Sequence, residues 1–250
     1  MTTAEAGGRV WVMSRRARVA PGGIVYHALN RAAARLPLFH KPQDYEAFER
    51  VMADAMLARP TRLLAYCLMP NHWHLVLWPV EDGELSAFVG WLSHTHAMRY
   101  RTHYHDSGVG HLYQQRYKSF PVQDDTHFLT VARYVERNAL RANLVERAED
   151  WRWSSLWRRT RAHEAANSLL HRWPVGEPSD WLSWVNEPQT EAELDALRRS
   201  ARRGSPYGEE SWQRQMAERL GLGHTLRPLG RPRKRPPPSE SQGEQTPVDP

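Results

Sequence analysis

Residues 69–79 read Met-Pro-Asn-His-Trp-His-Leu-Val-Leu-Trp-Pro, and they constrain the fold more than any other stretch. Proline has no amide hydrogen to give a sheet ladder, so Pro70 and Pro79 bracket a strand rather than interrupt one. Between them Trp, Leu and Val suit a packed, pleated surface. Strand side chains alternate faces. His72 and His74 therefore share one side, and Trp73, Leu75 and Leu77 share the other. The apolar side demands a core. The other side carries two imidazoles on a rigid element, which suits a pair of metal ligands. A bare His-x-His is also compatible with a surface histidine beside a chance neighbour, so the rest of the chain has to decide.

The flanking pattern is regular. Pro21-Gly22-Gly23 turns into a strand over 24–29 that ends at Asn30-Arg31. Pro42-Gln43-Asp44 opens a helix with an acidic first turn, and Tyr45, Phe48, Val51, Met52, Ala55 and Met56 recur on its buried face. Residues 61–69 form a second strand, joined by Pro70-Asn71 into a hairpin with the motif strand. Glu81-Asp82-Gly83 turns into a long helix over about 85–101. Residues 112–122 are expected to form a fourth strand on which Gln114, Arg116 and Lys118 share a face. Asp124-Asp125-Thr126 then caps a helix expected to reach Ala142. Phe128, Val131, Ala132, Val135 and Ala139 point inward on it. Thr130, Tyr134, Asn138 and Arg141 fall on one stripe. The order β-α-β-β-α-β plus a helix is the ferredoxin-like pattern of an α+β fold. Its first and third strands are central. The helices are expected on one sheet face, leaving the other free for a site.

This domain spans 21–150, behind a basic N-terminal arm (1–20) containing Arg15, Arg16 and Arg18. An extension follows over 151–226, rich in tryptophan and arginine and mostly helical. Six tryptophans fall between Trp151 and Trp184. Packing on the first domain accounts for most of these indoles, while stacking on nucleobases is open to the rest. Helices over about 191–203 and 209–220 read as a small helical hairpin, with a helix-turn-helix as the weaker alternative. The tail (227–250) begins with Arg227, Arg231, Arg233, Lys234 and Arg235 and ends in Pro, Ser, Glu and Gln, a composition expected to be disordered. Gly230-Arg231-Pro232 reads as a minor-groove arm or as a solvated linker.

A net charge of +6 favours a polyanionic partner, and all but three of the 34 basic residues are arginine. The single Cys67 excludes an internal disulfide and any multi-cysteine zinc site. The longest apolar run, residues 63–69, is far too short to span a bilayer. With no signal-type segment either, a cytoplasmic protein without membrane contact is expected. No glycine-rich phosphate loop points to a nucleotide cofactor.

The chemistry gathers around Tyr134. Asn138 lies one helical turn beyond it, so both side chains leave one face about 6 Å apart. Asn138 or a nearby carboxylate can complete a metal site begun by His72 and His74. A protonated phenol is a weak nucleophile, but a divalent ion on a phosphate oxygen polarises phosphorus and neutralises developing charge. Tyrosine attack on a phosphodiester retains the bond energy in a phosphotyrosine, so strands can be rejoined.

Two stretches, 69–74 (Met-Pro-Asn-His-Trp-His) and 133–145 (Arg-Tyr-Val-Glu-Arg-Asn-Ala-Leu-Arg-Ala-Asn-Leu-Val), resemble the REP-associated branch of the single-tyrosine HUH transposases. The resemblance covers roughly 18–160 and extends to 204–208 and 229–234. It implies a ferredoxin-like nuclease that cleaves and rejoins single-stranded, hairpin-bearing DNA with Mg or Mn. Tyr134 would be the nucleophile and His72, His74 and Asn138 the metal ligands. Asn138 is followed by Ala139 where that family often has proline, which bears on how the helix ends. From their expected faces, Asn30, Arg31, Arg116, Lys118 and Arg141 are candidates for holding DNA, with Arg231, Arg233 and Lys234 in the tail. Monomer and homodimer stay open. Two rivals are a zinc hydrolase using His103, His105 and His111, and a DNA-binding protein or repressor without catalysis.

Overall fold

The computed structural model describes residues 19–105, 110–161 and 169–227. The arm up to residue 18 and the tail from residue 228, with Arg231, Arg233 and Lys234, lie outside them. In chain order residues 19–150 contain β1 (Val25–Arg31), α1 (Pro42–Ala58), β2 (Arg62–Met69), β3 (His72–Trp78), α2 (Glu84–Tyr104), β4 (Lys118–Val122), α3 (Thr126–Glu136) and α4 (Asn138–Arg141). The extension contains α5 (Ser155–Arg161), α6 (Trp181–Asn186), α7 (Glu191–Arg203), α8 (Glu210–Arg219) and α9 (Gly223–Leu226). The four strands form one antiparallel sheet in the order β2-β3-β1-β4, the ferredoxin-like arrangement, with β1 and β3 central.

The strand alternation sorts the core into two. Tyr26, Ala28, Trp73, Leu75 and Leu77 join Phe48, Met52, Phe88 and Leu92 under α1 and α2. Val25, Cys67, Val76, Phe120 and Val122 join Phe128, Val131 and Val135 under α3. The second face is therefore not free, as the sequence led us to expect: α3 and the extension cover it, because Phe128, Val131 and Val135 need apolar partners as much as α1 does. The space for a site survives only at one end of that face, where β3 begins and α3 ends.

Two expected elements are shorter than the pattern suggested. The 112–122 strand pairs as β4 only from Lys118. Beyond it Ala32 bridges Tyr113, so residues 114–117 bulge out opposite Asn30 and Arg31 alone. The bulge follows from two tyrosines drawn into the core: the Tyr113 hydroxyl bonds His96 and the Trp73 indole, and that of Tyr117 bonds Ser86. The helix expected to reach Ala142 breaks at Arg137 into α3 and α4. Past the break, Ala139 is fully buried in the cluster under α3.

The extension closes both sheet edges. Along β2, the Leu68 amide donates to the Trp153 carbonyl (2.9 Å), Ser155 Oγ accepts from the Tyr66 amide (2.9 Å), and the Trp173 indole donates to the Leu64 carbonyl (2.9 Å). Along β4, Tyr207 exchanges two backbone bonds with Pro121 and Gln123. An edge so covered cannot pair with another chain. The expected α7–α8 hairpin does not form. Leu194 and Leu197 of α7 join the cluster under α3, whereas Met216 of α8 and the adjoining Leu220 join the one under α1 and α2, so the two helices straddle the β4 edge. Trp181 is buried in the core, half-buried Trp173 packs against it, and Trp153 stacks on Tyr45 with ring centroids 4.8 Å apart.

Buried charge ties the layers together. The fully buried Glu136 carboxylate, at the end of α3, accepts from Arg159, Ser155 Oγ (2.5 Å) and the Trp181 indole (2.8 Å). Removing it strands Arg159 and the indole. Glu136→Ala is expected to lower the unfolding free energy by about 3 kcal/mol in urea titration; a loss below about 1 kcal/mol would show that the network is dispensable.

His96 on α2 is buried beneath Phe39 and Phe48, and burial lowers its pKa to about 4. Above pH 6.5 it is neutral in both folded and unfolded chains. Between pH 6.5 and 4 only the unfolded chain takes up the proton, so stability should fall by about 1.4 kcal/mol per pH unit from this group. His96→Gln should flatten that acid limb in denaturation curves measured across the window.

Candidate active site

The cavity at the open end of the second face, about 560 Å³, is where the candidate residues meet. His72 and His74 enter from the start of β3. Arg31 comes from the end of β1, where it pairs with His72. Arg116 and Lys118 come from the bulge and the first residue of β4. Tyr134 comes from the last turn of α3, and Asn138 and Arg141 from α4. Asn30 reaches the rim, but its side-chain oxygen accepts from the Arg31 amide (3.0 Å), so it braces the strand end. Thr130, on the same helical stripe, does not line the cavity and donates back to the Thr126 carbonyl.

The two histidines are oriented from behind. His72 Nδ1 meets Asn71 Oδ1 at 2.7 Å, and His74 Nδ1 meets His27 Nε2 at 2.9 Å. Their rings lie 5.0 Å apart at 77°. Each Nε2 is left without a partner among the described residues. That is the state of imidazoles whose outer nitrogen fixes the ring while the inner one presents a lone pair. Both are neutral near pH 7. Burial, assisted by Arg31 and Arg141, pushes His72 down to about 3, and burial beside His72 and His27 holds His74 well below the usual histidine range.

His27 was missed by sequence reasoning. It sits on β1 facing Val76, which makes it the diagonal neighbour of His74 across the pair, and it stacks on His74 at 5.0 Å. Its Nδ1 is buried without a partner among the described residues, and burial lowers its pKa to about 3. The signal was available: a histidine amid Val25, Tyr26 and Ala28 on an inner strand is a buried polar group in need of a partner.

Tyr134 is buried to 8% exposure and lies edge-on to His74 with ring centroids 5.9 Å apart. The Arg141 guanidinium covers its ring at 4.2 Å and donates to Asn138 Oδ1 at 2.7 Å. Asn138 Nδ2 and Arg141 Nη1 have no hydrogen-bond partner among the described residues. The amide oxygen keeps a second lone pair, and the buried amide group faces a polar cavity. Two neutral imidazoles and one amide oxygen thus form a donor set compatible with a divalent ion, although three groups do not fill the shell of Mg or Mn. The carboxylate alternative fails, because no Asp or Glu lines the cavity among the described residues. No group of three His, Cys, Asp or Glu side chains that could hold a metal is gathered among them either, which removes the zinc reading through His103, His105 and His111 from consideration there.

Two further contributors come from the extension: Arg198 and Arg202 of α7 form a side wall. Another pair of arginines has a different task. Arg133 Nε donates to the Trp184 carbonyl (2.8 Å) and Arg137 Nε to the Glu187 carbonyl (2.8 Å), latching α3 to the carboxyl end of α6. Among the described residues no helix is long and apolar enough to cross a membrane.

A search of curated proteins finds no match. One solved structure it resembles is a REP-associated tyrosine transposase bound to a REP hairpin, with 16% identity over 64% of this chain and 89% of that one and a TM-score of 0.44. Another is described as a "putative transposase" from Deinococcus radiodurans, with 19% identity over 49% of this chain and 96% of that one and a TM-score of 0.36. The family model described as "Transposase IS200 like" matches residues 22–138, from the turn before β1 to Asn138.

Proposed function

We propose that the protein is a single-tyrosine transposase of the REP-associated type, which cleaves and rejoins single-stranded, hairpin-bearing DNA through Tyr134. The observation that carries this reading is one cavity: it holds Tyr134, His72, His74 and Asn138 together with six cationic side chains and no carboxylate among the described residues. Such a pocket suits a phosphodiester and repels nothing on it.

The chain's own residues divide the work. Arg31, Arg116, Lys118 and Arg141 hold the backbone phosphates and set the target phosphorus against the Tyr134 hydroxyl. The phenol oxygen forms a bond to phosphorus as the bond to the departing strand breaks. The net proton passes from the phenol to the departing oxygen, which leaves as a hydroxyl. Reversal by another strand's hydroxyl rejoins DNA without a nucleotide cofactor. His72, His74 and Asn138 would hold Mg or Mn, which when bound polarises the phosphate and offsets its developing charge. Arg141, on the Tyr134 ring and on Asn138 at once, keeps nucleophile and ligand in one register.

The test is a denaturing gel with labelled single strands from the DNA flanking the gene, in Mn. A heat-stable protein–DNA band is expected, abolished by Tyr134→Phe and by chelator. A band that survives Tyr134→Phe would sink the assignment of the nucleophile. Binding with no covalent band would leave a DNA-binding protein without catalysis.

His27 offers a second handle, since it fixes the His74 ring without facing the cavity. His27→Ala should weaken Mn binding about 10- to 100-fold, read by electron paramagnetic resonance titration of free Mn. Unchanged Mn affinity would reduce His27 to a packing residue.

A further inference from the structure

The cavity around Tyr134 does not end there. A second cleft of about 350 Å³ opens beside it, between residues 115–119 and the carboxyl end of α7. The two share Arg116, Lys118 and Arg202, and Arg203 lies in the wall of the second. No carboxylate lines either one among the described residues.

The charge on α7 is sorted by face. Leu194, Leu197 and Ser200 are buried against the sheet side, whereas Arg198 and Arg202, one turn apart, are exposed and reach the cavity wall. Arg198 has exposed ion pairs with Glu191 and Asp195 at 3.5 and 3.3 Å, weak contacts that a phosphate can displace. Arg202, Arg116 and Lys118 have no hydrogen-bond or ion-pair partner among the described residues. The helix dipole accounts for cations in a last turn. It does not account for their facing Arg116 and Lys118 across a cleft without a counter-charge. Like charges set face to face cost free energy unless an anion lies between them. The repeated anion that fits two joined clefts is a nucleic-acid backbone.

We infer that α7 of the extension is a phosphate-binding wall: Arg198, Arg202 and Arg203, opposite Arg116 and Lys118, form a track that carries the backbone of a single DNA strand away from Tyr134. The extension thus has a binding role besides closing the sheet edges. This rests on the reading of the cavity as a single-strand nuclease site, and it adds to that reading a residue set lying outside the 22–138 family match.

The test measures single-strand affinity by fluorescence anisotropy across a salt series. It compares wild type, Arg198→Gln/Arg202→Gln, and a control double of equal charge change away from both clefts, Arg172→Gln/Arg219→Gln. The α7 double should lose about tenfold in affinity, and its salt slope should fall by about 1.4, at about 0.7 per lost contact to a single strand. The control should stay within about twofold. Arg202→Lys alone should keep most of the slope, which separates lost charge from lost structure. Equal losses in both doubles would reduce the effect to net charge, and an unchanged slope in the α7 double would remove the track. The covalent band of the wild type keeps the two readings apart. Its absence sinks the nuclease, while the same slopes still judge the track.

Discussion

The antiparallel pairing of β1 with β3 is the interaction on which the rest depends. It sets Leu29 opposite His74 and Arg31 opposite His72, and makes His27 the diagonal neighbour that holds His74 by a 2.9 Å hydrogen bond. A slip of one residue would send every one of these groups to the other face and Trp73 into the cavity. Register is protected by the core itself. Trp73, Leu75 and Leu77 on one side and Val76 on the other each have a buried place that no slipped pairing provides.

Around this pair the molecule solves a conflict between burial and access. The histidines need a dry, rigid setting to stay neutral and oriented, yet a site must open to solvent. The break at Arg137 reconciles the two. α3 buries its apolar face as far as Glu136, and α4 then turns Asn138 and Arg141 toward the cavity instead of continuing over the sheet. The extension secures that geometry. Arg133 and Arg137 latch α3 to the end of α6, and Arg159 from α5 and Trp181 from α6 hold Glu136. The position of Tyr134 therefore depends on residues fifty positions further along the chain.

Much of this was legible in local pattern. The four strands, the order of helices, the shared face of His72 and His74 and the stripe of Tyr134, Asn138 and Arg141 follow from periods of two and 3.6. The failures are equally physical. The fourth strand was drawn too long because Tyr113 and Tyr117 alternate like strand residues, while their hydroxyls seek Trp73, His96 and Ser86 and pull the chain into a bulge. The two helices over 191–203 and 209–220 read as a hairpin, but Tyr207 pairs with the β4 edge between them and sends them to opposite faces. His27 looked like any strand residue, because its partner lies 47 residues away.

By itself, the sequence determined the ferredoxin-like layout, the pairing of two histidines and the tyrosine helix, because each is encoded in side-chain alternation over a few residues. Only the tertiary structure decided that α3 covers the second face, that His27 stands behind His74, that no carboxylate enters the cavity among the described residues, and that α7 brings Arg198 and Arg202 to its wall. These are meetings of elements distant in the chain. Local periodicity says which face of an element is buried, while the packing of one face upon another decides which residues meet there.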